Sequence, residues 1–112
     1  MFKPKTYGSR ALLLHGNEIL LVKMVGSDHW SLPGGKIEKG ENPTNCIERE
    51  LREELCLCDI KIEYKLGEYV STQEHKHDTV HIFVITLPSR DFTKQAELDA
   101  AAWFPLTQLP HN

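Results

Sequence analysis

Apolar runs long enough to cross a membrane are missing from this 112-residue chain. Stretches such as Ala11 to Leu14 and Ile19 to Val22 fall far short of the about 20 residues that a spanning helix needs. The N-terminal "MFKPKTYGSR" also lacks the apolar segment of a signal peptide. No membrane partner is expected, and a cytoplasmic location is. Cysteine is scarce: Cys46, Cys56 and Cys58 make an odd number, and the last two lie too close for an ordinary disulfide framework, so all three read as reduced thiols. A zinc site on Cys56 and Cys58 would need a second spaced Cys or His pair, and none completes it. Basic charge is not concentrated either. The 13 Lys and Arg, against 16 Asp and Glu, are scattered and leave a net charge of −3, which gives a nucleic-acid duplex no electrostatic footprint. Repeats and low-complexity tracts are lacking too. At this length residues 1–112 make one domain, so any site must come from one core and its loops.

What is present is punctuated locally. "RALLLHGNEILLVKMV" reads as two apolar strands joined at Gly16-Asn17, a pair suited to the positive φ angles of a tight hairpin turn. "DHWSLPGGKIEKGEN" follows, where Pro33, Gly34, Gly35 and Gly40 disfavour regular structure and favour a loop whose backbone approaches something closely. Asn42 is placed to cap a helix and Pro43 to open it, with an end near Leu55. Beyond it, Ile60, Ile62 and Tyr64 alternate with polar residues. "TVHIFVITL" is apolar on both faces, Val80, Ile82 and Val84 on one and Phe83, Ile85 and Leu87 on the other, as in an interior strand closed by Pro88. A last short strand is expected around Ala102 to Phe104. The pattern is a mixed sheet with one well-defined helix.

On that helix, at about 100° per residue, Glu50, Glu53 and Glu54 fall within an arc of about 100°, beside a separate apolar stripe of Ile47, Leu51 and Leu55. Like charges at these spacings cost a few tenths of a kcal/mol per pair, roughly. Arg49 and Arg52 relieve part of that, and a solvated acidic face is the plain alternative. The glycine turn beside the carboxylates favours a second reading. Hard divalent cations such as Mg²⁺ take several oxygen ligands, and a carboxylate triplet next to a close-approaching backbone supplies them while leaving room for substrate phosphates. That is the anatomy expected of a metal-dependent, phosphate-cleaving site.

At these residues the chain resembles a known family. "GKIEKGENPTNCIERELREELCL", Gly35 to Leu57, is similar to the Nudix box of the Nudix hydrolases: Gly, five residues, Glu, seven residues, then Arg-Glu-apolar-any-Glu-Glu-any-Gly-apolar. Gly35, Glu41, Arg49, Glu50, Leu51, Glu53, Glu54 and Leu57 match in register. "HWSLPGG" before the box and a Trp-Phe pair after it agree more loosely. Cys56 stands where the pattern has glycine. That glycine ends the helix in a left-handed conformation, so either Cys56 adopts it under strain or the helix ends differently.

The resemblance implies an α+β fold, an α/β/α sandwich around a mixed sheet with a catalytic loop-helix. The second covering helix would follow "WFPLTQLP", where the sequence reaches Asn112, so it is expected to be absent or truncated, and a homodimer is expected to cover the bare apolar side. The resemblance also implies metal-dependent attack of water on a nucleoside diphosphate linked to another group. Mg²⁺, or Mn²⁺ in its place, is the implied cofactor. Glu53 and Glu54 are the implied ligands and Glu50 a ligand or general base. Arg49 orients them, Glu41 is its partner across the loop, and Gly35 or Gly34 offers a carbonyl oxygen to metal.

Glu97, ahead of Trp103, is an additional ligand or base by the same resemblance, or else an exposed loop residue. Glu74, His75, His77, Asp78 and His81 read as a solvated polar loop, with contact to substrate the alternative, and Trp30 and Tyr69 as packing or lining the sheet, with stacking on a base the alternative. With no proline from Asp59 to Leu87 and no tyrosine from Val70 to Val80, the markers that subclasses of the family carry for ADP-ribose and dinucleoside polyphosphates are missing. A small-molecule nucleotide, a nucleoside triphosphate cut to monophosphate and pyrophosphate, is the leading substrate. The competing reading is a non-catalytic nucleotide-binding module of Nudix-like fold, although every box glutamate is in place.

Overall fold

The computed structural model describes residues 5–71 and 77–111. Its elements are β1 (Lys5–His15), β2 (Glu18–Met24), β3 (Gly34–Lys36), α1 (Pro43–Leu55), β4 (Ile62–Ser71), β5 (His77–Thr86) and β6 (Leu98–Pro105). The strands form one mixed sheet in the order β4-β5-β1-β2-β6, with β3 paired to the first half of β1. β1 and β5 run parallel from Lys5↔His77 to Leu14↔Thr86, and the other pairings are antiparallel. The expected mixed sheet with one helix is what forms, and β5 is interior as its two apolar faces require.

Alternation along β1 sets the layers. Ser9, Ala11 and Leu13 are buried, while Arg10, Leu12 and Leu14 are half-buried on the opposite face. The buried face meets the apolar stripe of α1. Ala11, Leu13, Leu20, Val22, Phe83 and Ile85 pack with Ile47, Leu51 and Leu55 in one cluster, so burial of that stripe, rather than helix propensity, holds α1 to the sheet. α1 is the only helix among the described residues.

Three details depart from the sequence-based expectations. The strands are longer: β1 starts at Lys5 and β6 extends from Leu98 to Pro105. Only Gly16 of the hairpin pair takes positive φ, at 58°. The glycine segment expected to be irregular contains β3, because Gly8, Ser9 and Arg10 of β1 pair with Lys36, Gly35 and Gly34. Two of those pairings need a bare Cα: a Cβ on Gly34, whose φ is 144°, would strike the β1 backbone at Arg10 Cα, 2.8 Å away, and one on Gly8 would lie 3.0 Å from Gly35 O.

Candidate active site

Both ends of α1 are fixed by named groups. The Asn42 side chain accepts from Asn45 N–H at 2.7 Å and Pro43 opens the first turn. At the other end Cys56 adopts the left-handed conformation, φ 56° and ψ 30°, which decides between the two alternatives for the residue replacing glycine. The segment after β5 closes the remaining carbonyls: Thr93 N–H donates to Leu55 O and Gln95 N–H to Glu54 O, while Gln95 Nε2 reaches Cys56 Sγ at 3.0 Å.

The three glutamates of α1 do not stand alike. Glu54 is 2 % exposed, the Glu50 side chain 16 % and that of Glu53 46 %. Glu54 reaches under the glycine turn, where Gly34 N–H donates to its Oε1 over 3.3 Å. Glu50 lies against Gly35, whose missing Cβ leaves the space that the carboxylate fills. Burial, then the charge of Glu50 and a hydrogen bond with it, push the Glu54 carboxyl up from its ordinary 4.5 to about 8, against the Gly34 N–H and the Arg10 charge.

Arg49 gathers the rest. Its Nη1 donates to Glu50 Oε1 at 2.8 Å and to Glu53 Oε1 at 2.7 Å, and its Nη2 to Glu41 Oε1 and the Lys36 carbonyl, each at 3.0 Å. Glu38 also lies 3.3 Å from Nη1. These bonds, led by that to Glu41, raise the Arg49 pKa further, and the same guanidinium followed by the Glu38 N–H holds Glu41 down at about 2. Cys46, buried beneath this network with Sγ 3.4 Å from Lys36 O, has its thiol pKa raised by burial.

Glu41, Arg49, Glu50, Glu53, Glu54 and Gly35 are thus brought together. Glu97 is not tied to them by its side chain: it is exposed, and its carbonyl accepts from Val25 N–H. Its chain nonetheless passes the helix end, two residues after Gln95. Glu74 and His75 lie outside the described residues. His77, Asp78 and His81 belong to β5 rather than to a loop. Asp78 accepts from Thr6 Oγ1 at 2.7 Å, and His81 is buried with its pKa lowered, first by burial and then by Lys65. Trp30 packs edge-on against Phe104, with Lys23 Nζ 5.0 Å above its ring.

Sequence reasoning missed Arg10. Its Nη1 donates to Leu32 O at 3.0 Å and to Gly34 O at 3.3 Å, holding the glycine turn from the sheet side. The available signal was a cation immediately before the apolar run Ala11 to Leu14.

The oxygen-only donor set fits a hard divalent cation. Glu54 is buried with the partly exposed Glu50 beside it, and Arg49 bonds Glu50 but not Glu54, so ionising both carries repulsion that a cation would remove. Among the described residues no three His, Cys, Asp or Glu side chains already converge into a cage. A bound ion would draw the glutamates together.

The profile of the NUDIX domain matches residues 5–112. The chain belongs to the Nudix hydrolase family. It is 31 % identical over 102 residues to the m7GpppN-mRNA hydrolase of Saccharomyces cerevisiae, covering 83 % of this chain and 10 % of that protein. Over 77 residues it is 35 % identical to the CTP pyrophosphohydrolase of Escherichia coli, covering 66 % of this chain and 53 % of that Nudix relative. The solved structure of a UDP-X diphosphatase superposes with a TM-score of 0.83 at 29 % identity, covering 98 % of this chain and 55 % of the other. The chain thus spans about half or less of the length of each of these relatives.

Proposed function

We propose that this Nudix chain hydrolyses a pyrophosphate bond with the help of Mg²⁺ or Mn²⁺, acting on a nucleoside triphosphate to give a monophosphate and pyrophosphate. The observation that carries the reading is the buried Glu54 beside Glu50, under a glycine turn, inside a Nudix box whose glutamates are all present. The named relatives that act on nucleotides support the substrate class; the choice of a triphosphate rests on the missing subclass markers.

In this reading Glu53 and Glu54 hold the cation, Glu50 is a further ligand or the general base, and the Gly35 carbonyl is a backbone donor. Once bound, the ion supplies neutralisation of diphosphate charge and a more acidic water. The protein's own part is positional. Arg49, anchored on Glu41, sets the rotamers of Glu50 and Glu53. Gly34 N–H sets that of Glu54. A carboxylate that is not taken up by metal, Glu50 or Glu97, accepts the proton of the attacking water. The location of Glu97 just after the segment bonded to the end of α1 supports keeping it in that role.

The test is a panel of nucleotides incubated with Mg²⁺ and analysed for monophosphate, pyrophosphate and phosphate, with Glu54→Gln as control. Cleavage that disappears in the variant supports the enzyme. Silence across the panel with nucleotide still bound favours the binding module.

Assembly as a homodimer belongs to the same proposal. Tyr64 and Tyr69 are exposed on the side of the sheet away from α1, registered against Val84 and Val80, and Leu12 and Ile82 there are only half-buried. Light scattering at micromolar concentration should give twice the chain mass, and a monomer removes this part. The exposed thiols of Cys56 and Cys58 suit the reducing cytosol, the proposed compartment. No helix among the described residues is long and apolar enough to cross a membrane.

A further inference from the structure

We propose that Arg10 is a positioning residue for the cation site, acting through the glycine turn on the Glu54 carboxylate. The inference rests on the reading of Glu54 as a metal ligand. It adds a residue outside the Nudix box, on the opposite face of the sheet from α1.

The chain of contacts is short. Arg10 lies on the half-buried face of β1, and its backbone is registered against Gly34. The next residue, Ala11, donates its N–H to Pro33 O at 2.9 Å. The Arg10 side chain then bonds two carbonyls of the same turn, Leu32 O and Gly34 O, with one terminal nitrogen. Both flanks of Pro33 are therefore held by one guanidinium. The peptide between those two carbonyls, Pro33–Gly34, has its own carbonyl held by Ala11 N–H and turns its N–H to Glu54 Oε1. Since Gly34 has φ 144° and no side chain, its own backbone has unusually wide freedom, and something outside it must select one orientation. The β3 ladder holds one side of the turn. Arg10 holds the other.

A cation at this place has a chemical reason. Carbonyls of an irregular turn that are out of water need donors, and a planar guanidinium serves two at once where an ammonium is a single point. Its positive charge also acts on the Glu54 carboxylate from across the sheet, without bonding either glutamate directly. Arg10 therefore leaves the Glu54 oxygens available to an ion while fixing where they point. Outer groups that orient metal ligands in this way change metal affinity by about 10–100-fold when removed.

The experiment compares wild type, Arg10→Met, Arg10→Lys and Glu54→Gln, all first checked by circular dichroism. Mn²⁺ binding is measured by calorimetry, and exchange of the Gly34 amide by NMR in metal-free protein. Arg10→Met should weaken Mn²⁺ about tenfold or more and speed exchange of the Gly34 amide. Arg10→Lys should recover part of both, because charge is restored but not the two-carbonyl grip. Should Arg10→Met fail to fold, Arg10→Lys carries the test alone through a smaller loss of the same two quantities. Wild-type affinity and wild-type Gly34 exchange in a folded Arg10 variant would overturn the inference while leaving the metal site intact. A wild-type protein that binds no Mn²⁺ would overturn the reading of the site itself, and this inference with it.

Discussion

Gly34 N–H donates to Glu54 Oε1 across 3.3 Å, joining the glycine turn to the buried carboxylate of α1 twenty residues further along the chain. Through this bond the backbone of a loop sets the position of an acidic side chain that solvent does not reach. The same bond explains why a turn and a helix, separated in sequence, must fold as one unit before any ion can be held.

The metal-free protein should lose stability as pH rises. The folded pKa of Glu54, about 8, lies above its ordinary 4.5, so the group's contribution is fully present below pH 4.5 and is lost as pH rises through about 8. Glu54→Gln should remove that slope. At pH 8 in EDTA the variant should be more stable than wild type by on the order of 1–3 kcal/mol, the scale of an imperfectly compensated buried polar group; assayed separately with Mg²⁺, its turnover should be down at least about 100-fold. Denaturant titrations between pH 5 and pH 9 check the first part, and equal slopes in the two proteins would refute it.

Acid should act through a different carboxylate. Glu41 has its pKa depressed from 4.5 to about 2, first by Arg49 and then by the Glu38 N–H. Its contribution is present above pH 4.5 and is lost as pH falls towards 2. Glu41→Gln should flatten the acid limb of the stability profile. Thermal midpoints recorded from pH 6 down to pH 2 test this, and a limb of unchanged steepness counts against it.

How much of this was legible beforehand depends on which force set each feature. The α1 boundaries could be read from Asn42, Pro43 and the apolar stripe, because local capping and burial agree there. The set of residues around Arg49 was also legible, since fixed spacing on one helix fixes neighbourhood. The unequal burial of Glu50, Glu53 and Glu54 was not. A helical projection gives angles but not what packs against them, and it is the turn at Gly34 that puts Glu54 under cover. The β3 pairing stayed hidden for a related reason: glycine's weak strand propensity was overridden by tertiary pairing with Gly8, Ser9 and Arg10. Arg10 could not be placed because its partners are backbone carbonyls, which carry no sequence signature.

Replacing Arg49 by lysine should be far from conservative. One guanidinium meets Glu41, Glu50, Glu53 and the Lys36 carbonyl, and an ammonium cannot reproduce that fork. Arg49→Lys should lower kcat about tenfold or more with a smaller change in KM, since the glutamates it orients belong to the reacting centre. Steady-state kinetics with Mg²⁺ decide this. A loss confined to KM would mean that Arg49 serves substrate binding instead.

Cys56 occupies a left-handed position that favours glycine, at a cost of about 1–2 kcal/mol for a residue with a Cβ. Part of that is offset by its contact with Gln95 Nε2. Cys56→Gly should therefore stabilise by about 1 kcal/mol or less, a rise of a few degrees in Tm for a chain of this size, with turnover unchanged. Calorimetric melting curves and a parallel assay check it, and a large change in turnover would show that the thiol takes part in the chemistry.

Adjacent glycines should respond in opposite ways to the same added methyl group. At Gly34 a Cβ strikes the β1 backbone, 2.8 Å from Arg10 Cα, at a φ of 144° that side chains rarely adopt. Neither strand can retreat without breaking the β1–β3 pairing, so Gly34→Ala should unfold the turn and cost several kcal/mol, on the order of 3. At Gly35 the collision is with the Glu50 carboxylate, the far end of a flexible side chain. Glu50 can swing aside, so Gly35→Ala should keep a near wild-type Tm while losing about tenfold or more in Mn²⁺ affinity and turnover. Melting curves recorded beside metal titrations separate the two outcomes. If both variants lose stability equally, the space over Gly35 is structural and Glu50 does not depend on it; if Gly35→Ala binds Mn²⁺ as wild type does, Glu50 is not a ligand in the place the turn gives it.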